Sequence, residues 1–308
     1  MGRYILDRFL ASLLTIFVVI TLTFFLMRLM PGGPFTSERI TEKAREAMNA
    51  KYGLDKPVVE QYVIYLRNIL HGDFGTSMIF KGKEVTGDII FQFFPNSAKL
   101  GIVSVALSLA AGLGLGLLAG ARQGRLADKA ATLIATLGIT IPSFVIGSVL
   151  LYTVGVRLRW LPTTGFTSWR HYIMPAAALS GIGLSFITRL TRTKYVEVKN
   201  SDFMRTARAK GLDKSTIIFK HGLRNSILPV ITYMGPLIAN VLTGSFVIER
   251  LFAVPGLGSD FVQSVSRRDY SVVMGVVIFY CIFIIACNFL VDILYVVVDP
   301  RIKLQNNA

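Results

Sequence analysis

Phe9–Met30 reads FLASLLTIFVVITLTFFLMRLM, an apolar run whose only charge is Arg28. An α-helix rises about 1.5 Å per residue, so about 20 apolar residues cross the hydrocarbon core of a bilayer. The run meets that length and is read as a membrane span. Arg3 and Arg8 before it imitate the charged start of a signal peptide. The run is long enough to span, however, and no small-residue cleavage site follows it, so a retained helix is expected.

Working outward, five more segments qualify: Leu100–Ala121, Ala130–Val156, Tyr172–Thr188, Ile227–Ile248 and Ser271–Val298. The composition agrees. Of 308 residues 53% are hydrophobic and 17% charged, with mean hydropathy +0.57, which suits lipid rather than water as the solvent. The net charge of +15 would suggest nucleic acid in a soluble protein. Here the basic residues lie between apolar spans and lack interleaved aromatic platforms, so charge sorting across a membrane is the better reading and nucleic acid is rejected. Cys281 and Cys287 share one apolar run, about 9 Å apart along a helix axis and on different faces, which excludes a disulfide. His71, His171 and His221 are scattered, and no metal-ligand spacing exists.

Six spans put both termini on one side. The segments with few acids and many bases are those holding Arg3 and Arg8, then Arg122, Arg125 and Lys129, then the dense run Arg189–Arg224, then Arg301 and Lys303. The positive-inside rule makes these cytoplasmic, termini included. Pro31–Asn96 mixes its bases with eight Asp and Glu residues and falls outside, as a small extracytoplasmic subdomain. Two amphipathic helices are expected in it, Glu38–Tyr52 and Val58–Leu70, the second with Val58, Tyr62, Tyr65, Leu66 and Ile69 on one face. The fold class is an all-α integral membrane protein divided into residues 1–30, the subdomain 31–98, and a main transmembrane region 99–308 with a cytoplasmic loop at about 193–225.

Gly112, Gly116 and Gly120 recur every fourth residue within a span and have no strand before them, so they are read as a close-packing face and not as a nucleotide fingerprint. Pro142, Pro175, Pro229 and Pro236 sit in or near spans as kinks, either tolerated by packing or shaping a pathway. Asp292 is the one acid well inside a span and lacks a second buried acid or histidine for a relay, which favours a structural role. Arg28 and Glu249 are expected to snorkel or to face a pore mouth. No GxxxxGK[ST], no HExxH and no grouping of nucleophile, base and orienter occurs, so neither ATP hydrolysis nor other catalysis belongs to this chain.

The most informative stretch is Arg205-Thr206-Ala207-Arg208-Ala209-Lys210-Gly211-Leu212, continuing to His221-Gly222-Leu223. It reads as two short polar helices separated at Gly211, where φ > 0 is available. Charge alone would explain it by topology or anionic lipid. The spacing resembles the EAA loop of ABC importer permeases. Arg205 stands where the general pattern has Glu, and Leu223-Arg224 replaces Leu-Pro, as in the peptide branch, whose pattern is matched through Pro229. Further stretches are similar to the B-type oligopeptide and dipeptide permeases: Met30–Phe35, Tyr52–Pro57, His71–Gly75, Ile141–Phe144, Trp160–Pro162, Val254–Gly258 and Arg268–Tyr270.

That resemblance implies a type I ABC importer permease fold in the bacterial inner membrane. It also implies a heterodimer with a second, C-type permease, two cytoplasmic ATPases that hold the ATP and magnesium, and an extracytoplasmic peptide-binding protein or lipoprotein. The chain itself would bind no cofactor. Arg205, Thr206, Ala207, Arg208, Ala209, Lys210, Gly211, Leu212, His221 and Leu223 would form the ATPase-coupling loop. Pro142, Pro229, Glu249, Pro255, Gly256 and Gly258 are the pore or gate candidates. The cargo expected is an oligopeptide, favoured by the short Trp160–Tyr172 loop, with dipeptide, glutathione and nickel permeases sharing the same motifs. An ion-coupled secondary transporter is the alternative from another class; it needs paired intramembrane acids or broken helices in both halves.

Overall fold

The computed structural model describes residues 2–29, 35, 41–80, 82–213, 215–242 and 246–298, with side chains described over 6–290 of that set. The Met30–Pro34 motif residues, the start of the expected Glu38–Tyr52 helix, the Asp299-Pro300-Arg301 end and the side chain of Asp292 lie outside it. Among the described residues the chain is helical, apart from one isolated antiparallel bridge between Thr76 and Glu84. The helices, in chain order, are α1 Gly2–Leu29, α2 Glu42–Lys51, α3 Val58–Leu70, α4 Phe91–Ala121, α5 Leu126–Thr140, α6 Ser143–Leu150, α7 Arg170–Lys199, α8 Asp202–Ala209, α9 Arg224–Ser226, α10 Leu228–Leu242, α11 Phe246–Leu251, α12 Leu257–Arg267 and α13 Tyr270–Val298. Wider π-helical turns occupy Val85–Ile90, Leu151–Arg157 and Thr216–Leu223.

Among the described residues four helical stretches are long and apolar enough to cross a membrane, Leu6–Leu29, Val85–Ala121, Arg170–Lys199 and Tyr270–Leu290, and up to six if each of two bent pairs counts as one span. Leu126–Thr140 and Ser143–Arg157 meet at 105°, and Thr216–Ser226 and Leu228–Leu242 at 55°. Pro142 causes the first break. It holds Ile141 in an extended conformation (φ −88°, ψ 122°) and itself caps α6, as expected of a residue that clashes with a helical predecessor and cannot donate.

Residues 1–97 with 255–289 form one compact unit, and 98–254 with 290–308 form another. In the first, Phe24 and Met27 of α1 join Met78, Tyr270, Val273 and Met274, flanked by Tyr62 and Tyr65 of α3. The Thr21 and Tyr62 hydroxyls lie 2.6 Å apart. Asp269, 1% exposed, organises this unit. Its carboxylate accepts from the Ser77 hydroxyl and from the Met78 (3.1 Å), Ile79 (3.3 Å) and Val272 (3.4 Å) amides, so one buried acid caps α13 and pins the 77–79 turn.

In the second unit α7 is the central helix. Cβ atoms built on Gly112, Gly116 and Gly120 of α4 would lie 2.8, 2.5 and 2.8 Å from Ile187, Thr191 and Tyr195 of α7. Two rows with the same four-residue spacing therefore mesh with no room for another methyl group, the close approach that small residues permit in lipid. On other faces of α7, Gly181 meets the Gly138 backbone of α5, and Gly183 meets Leu237 of α10.

Candidate functional site

The loop following α7 is built from its helix ends. Leu212, after Gly211, turns its amide to the Ala207 carbonyl at 3.4 Å, and Gly211 donates to Arg208 at 3.0 Å. Gly211 has φ +72° with nothing within 4 Å of a Cβ. Glycine is needed there for the left-handed backbone that ends α8, not for space. Asp213 then starts the next turn, accepting from the Ser215 hydroxyl at 2.7 Å and the Thr216 amide at 2.9 Å. These bonds, Ser215 first, hold its carboxyl well below the usual range.

Within α8, Met204 and Ala207 are buried, so of the two alanines expected to offer a small outward surface only Ala209 is exposed. Arg205, 74% exposed, reaches Asp202 at 3.5 Å, and Arg208 donates to the Lys199 carbonyl at 3.0 Å. Thr206, Lys210 and Leu212 are exposed, while His221 and Leu223 are half-buried. Two apolar side chains not singled out from the sequence, Phe203 and Phe219, are also exposed in and around this loop, as is the expected Leu212. Phe203 adjoins the buried Met204 but lies about 100° round the helix from it, a signal that a helical projection of 202–209 contains.

The loop is fastened to the helices at three places. Tyr195, 3% exposed, lies between Gly120 and Gly222; a Cβ on Gly222 would be 2.5 Å from its ring. Asp128 of α5 and Arg192 of α7 form a two-pronged ion pair (2.6 and 2.9 Å), and Asp128 also accepts from the Gly124 amide at 2.8 Å. Lys199 donates to the Ala121 carbonyl at 3.2 Å.

The pore or gate candidates are divided between the two units. Pro142 breaks the α5–α6 pair, and Pro229 sits in the first turn of α10. Glu249 does not face an opening: it is fully buried in α11. Pro255, Gly256 and Gly258 belong to the other unit, where the Pro255 carbonyl accepts from Asn96 at 2.9 Å and Gly256 caps α12. Arg28 is likewise not a snorkelling residue, for its Nε and Nη1 atoms are buried. No cluster of three or more potential metal ligands occurs among the described residues.

A helical membrane body with an exposed basic loop fixed to its central helices agrees with the class its relatives define, a transport permease subunit. The chain belongs to the binding-protein-dependent transport system inner membrane components: residues 112–304 match that family and residues 1–94 its N-terminal region. It is 45% identical to the dipeptide transport system permease protein DppB of Bacillus subtilis (strain 168), over 100% of both chains. It is 42% identical to the oligopeptide transport system permease protein OppB of Haemophilus influenzae, over 98% of this chain and 100% of that one. A solved amino acid ABC transporter chain shares the fold, with TM-score 0.51 and 14% identity over 67% of this chain and 92% of that one.

Proposed function

We propose that the chain is the B-type permease of an ATP-driven peptide importer, with residues 193–225 docking a cytoplasmic ATPase and the 31–98 segment facing outward. The observation that carries the docking role is the exposure of Phe203, Leu212 and Phe219 beside Arg205 and Lys210. A loop that merely enforced topology would need the charges and not the apolar surface. ATPase closure pushes α8, and Tyr195 and the Asp128–Arg192 pair carry the displacement into the helices that line the path. A second permease completes that path, and an external binding protein delivers the cargo.

For cargo, relatives named for dipeptides and for oligopeptides match almost equally well, which supports peptide recognition through backbone and termini. We retain oligopeptide as the proposed cargo; the 45% relative favours dipeptide as the second reading. Competition between unlabelled di- and pentapeptides for uptake of a labelled tripeptide separates the two. Impermeant-thiol labelling of Glu46→Cys and Lys210→Cys in intact cells tests the topology. Labelling at 46 with protection at 210 is expected, and the reverse pattern refutes the proposed orientation.

A further inference from the structure

Trp160 and Trp169 are the only two tryptophans in the chain. Both stand in one loop, between the helical turns that end at Arg157 and the start of α7 at Arg170, and they are 67% and 73% exposed. Their smaller neighbours turn inward. Leu161 and Phe166 pack against the cluster of Met174, Ile248 and Phe252, the Phe166 and Tyr172 ring centres lie 4.1 Å apart, and a Cβ on Gly155 would stand 2.8 Å from Thr163. The loop is thus folded onto its own unit and still presents its two largest side chains outward.

Arg157, Arg159 and Arg170 are exposed beside the two indoles, and none of the three is in an ion pair among the described residues. Local sequence offers no counter-charge, because no Asp or Glu occurs between Asp128 and Glu197. Arg159 has φ 54°, and the Trp160 amide donates to the Val154 carbonyl at 3.0 Å, the bond that closes a helix over a left-handed residue. Glycine is the usual occupant of that position; an arginine is held there against a steric cost, which points to a use for its side chain. The loop lies at the other end of α7 from the basic run Arg189–Arg224 and is outside in the proposed orientation. Short outer loops ordinarily avoid Arg and Lys. Three arginines and no acid therefore run against the charge rule, so topology does not account for them.

We infer that the 157–170 loop is a binding surface for anionic phospholipid headgroups, its arginines pairing with phosphates and its indoles lying where headgroups meet acyl chains. The apolar surface leading to it is continuous with the loop: Val149, Tyr152 and Val156 on one side and Ile173 on the other are exposed, on helices apolar enough to cross a bilayer. Tryptophan with arginine at the ends of spans is the composition of the membrane boundary. An acidic protein surface would also meet the arginines, but Trp160 and Trp169 stand within three residues of the two helix ends, which sets them at the depth of the headgroups. The side of the membrane rests on the proposed orientation; the contact with lipid does not.

The test reconstitutes the full chain into mixed phosphatidylcholine and phosphatidylglycerol vesicles in which one lipid at a time carries bromines on its acyl chains, and measures tryptophan emission. Both tryptophans lie in this loop, so the signal reports nothing else. Brominated phosphatidylglycerol is expected to quench more strongly than brominated phosphatidylcholine at the same mole fraction. Arg159→Gln should lower that preference about fivefold at low salt, the weight of one surface arginine, and added salt should lower it in the wild type. Equal quenching by the two lipids overturns the assignment, as does a preference that either Arg159→Gln or salt leaves unchanged. Emission that neither brominated lipid quenches but acrylamide does overturns it in favour of a water-exposed, protein-facing surface. Should Arg159→Gln fail to fold, Arg170→Gln and the salt series carry the comparison. Quenching requires neither uptake nor one direction of insertion, so failure here is distinct from failure of the transport reading or of the orientation.

Discussion

Gly222→Ala is the substitution that most directly tests the link between the basic loop and the membrane helices. The added Cβ would stand 2.5 Å from Tyr195 Cε2 and 3.2 Å from the Ile217 carbonyl oxygen. Carbon atoms rest about 3.5–4.0 Å apart, so ring and loop must separate by about 1 Å or more. The ring cannot retreat, since Gly120 holds its far edge at a distance where a Cβ would already be only 2.8 Å away. The loop must move instead, at a cost of about 1–3 kcal/mol for overpacking a tight site. Reconstituted in proteoliposomes with its partners, the variant should insert normally and bind the ATPase, yet lose most coupled uptake while keeping ATP hydrolysis. Tyr195→Leu removes the clashing ring edge, so the double variant should recover part of the lost coupling, and a double-mutant cycle measures that recovery. Normal coupled uptake by Gly222→Ala, or no interaction between the two substitutions, would refute transmission through Tyr195.

Gly211→Val forces a β-branched residue into φ +72° with no steric contact, costing about 1–2 kcal/mol in backbone alone; uptake should fall while membrane insertion, followed by fractionation, is unchanged. Asp128→Asn leaves Arg192 without its carboxylate, whose side chain is only 6% exposed against 33% for the arginine. The loss should be about 3 kcal/mol, at the low end for a broken buried pair, read as a lower midpoint in denaturant titration. Asp260 is pushed above the usual carboxylate range by burial and then by the nearby Asp269 charge. Because the raised value belongs to the folded state, this group costs stability as pH rises from the unfolded carboxylate value near 4. Asp260→Asn should flatten that part of the thermal stability profile, and a profile identical to wild type would contradict the assignment.

The apolar runs made the helical class legible, because lipid requires every backbone group to be satisfied within a segment. The Gly112–Gly116–Gly120 face was legible too, since a four-residue repeat survives any detail of tertiary packing. Its counterpart Ile187–Thr191–Tyr195 was not, for those residues are chemically ordinary and matter only by their register. Asp128 and Arg192, 64 positions apart, were both read as members of basic loops, and nothing local marks them as partners. Arg28 and Glu249 were expected at an accessible edge because charge near the end of a span ordinarily reaches water; aromatic packing on one and the α6–α11 contact around the other overrule that tendency. In the loop, the left-handed residue at 211 was readable from glycine itself, whereas the inward turn of Ala207 depended on where the neighbouring helix lay.

The meshed rows of α4 and α7 also constrain how this sequence can drift. Glycine has no smaller neighbour, so any single codon change at position 116 that alters the residue adds atoms, and Thr191 already stands 2.5 Å from where the first of them would go. A smaller residue at 191 would not make room either, because the Thr188 backbone carbonyl oxygen stands 2.8 Å from the same point; position 116 can leave glycine only if the helix pair itself moves apart.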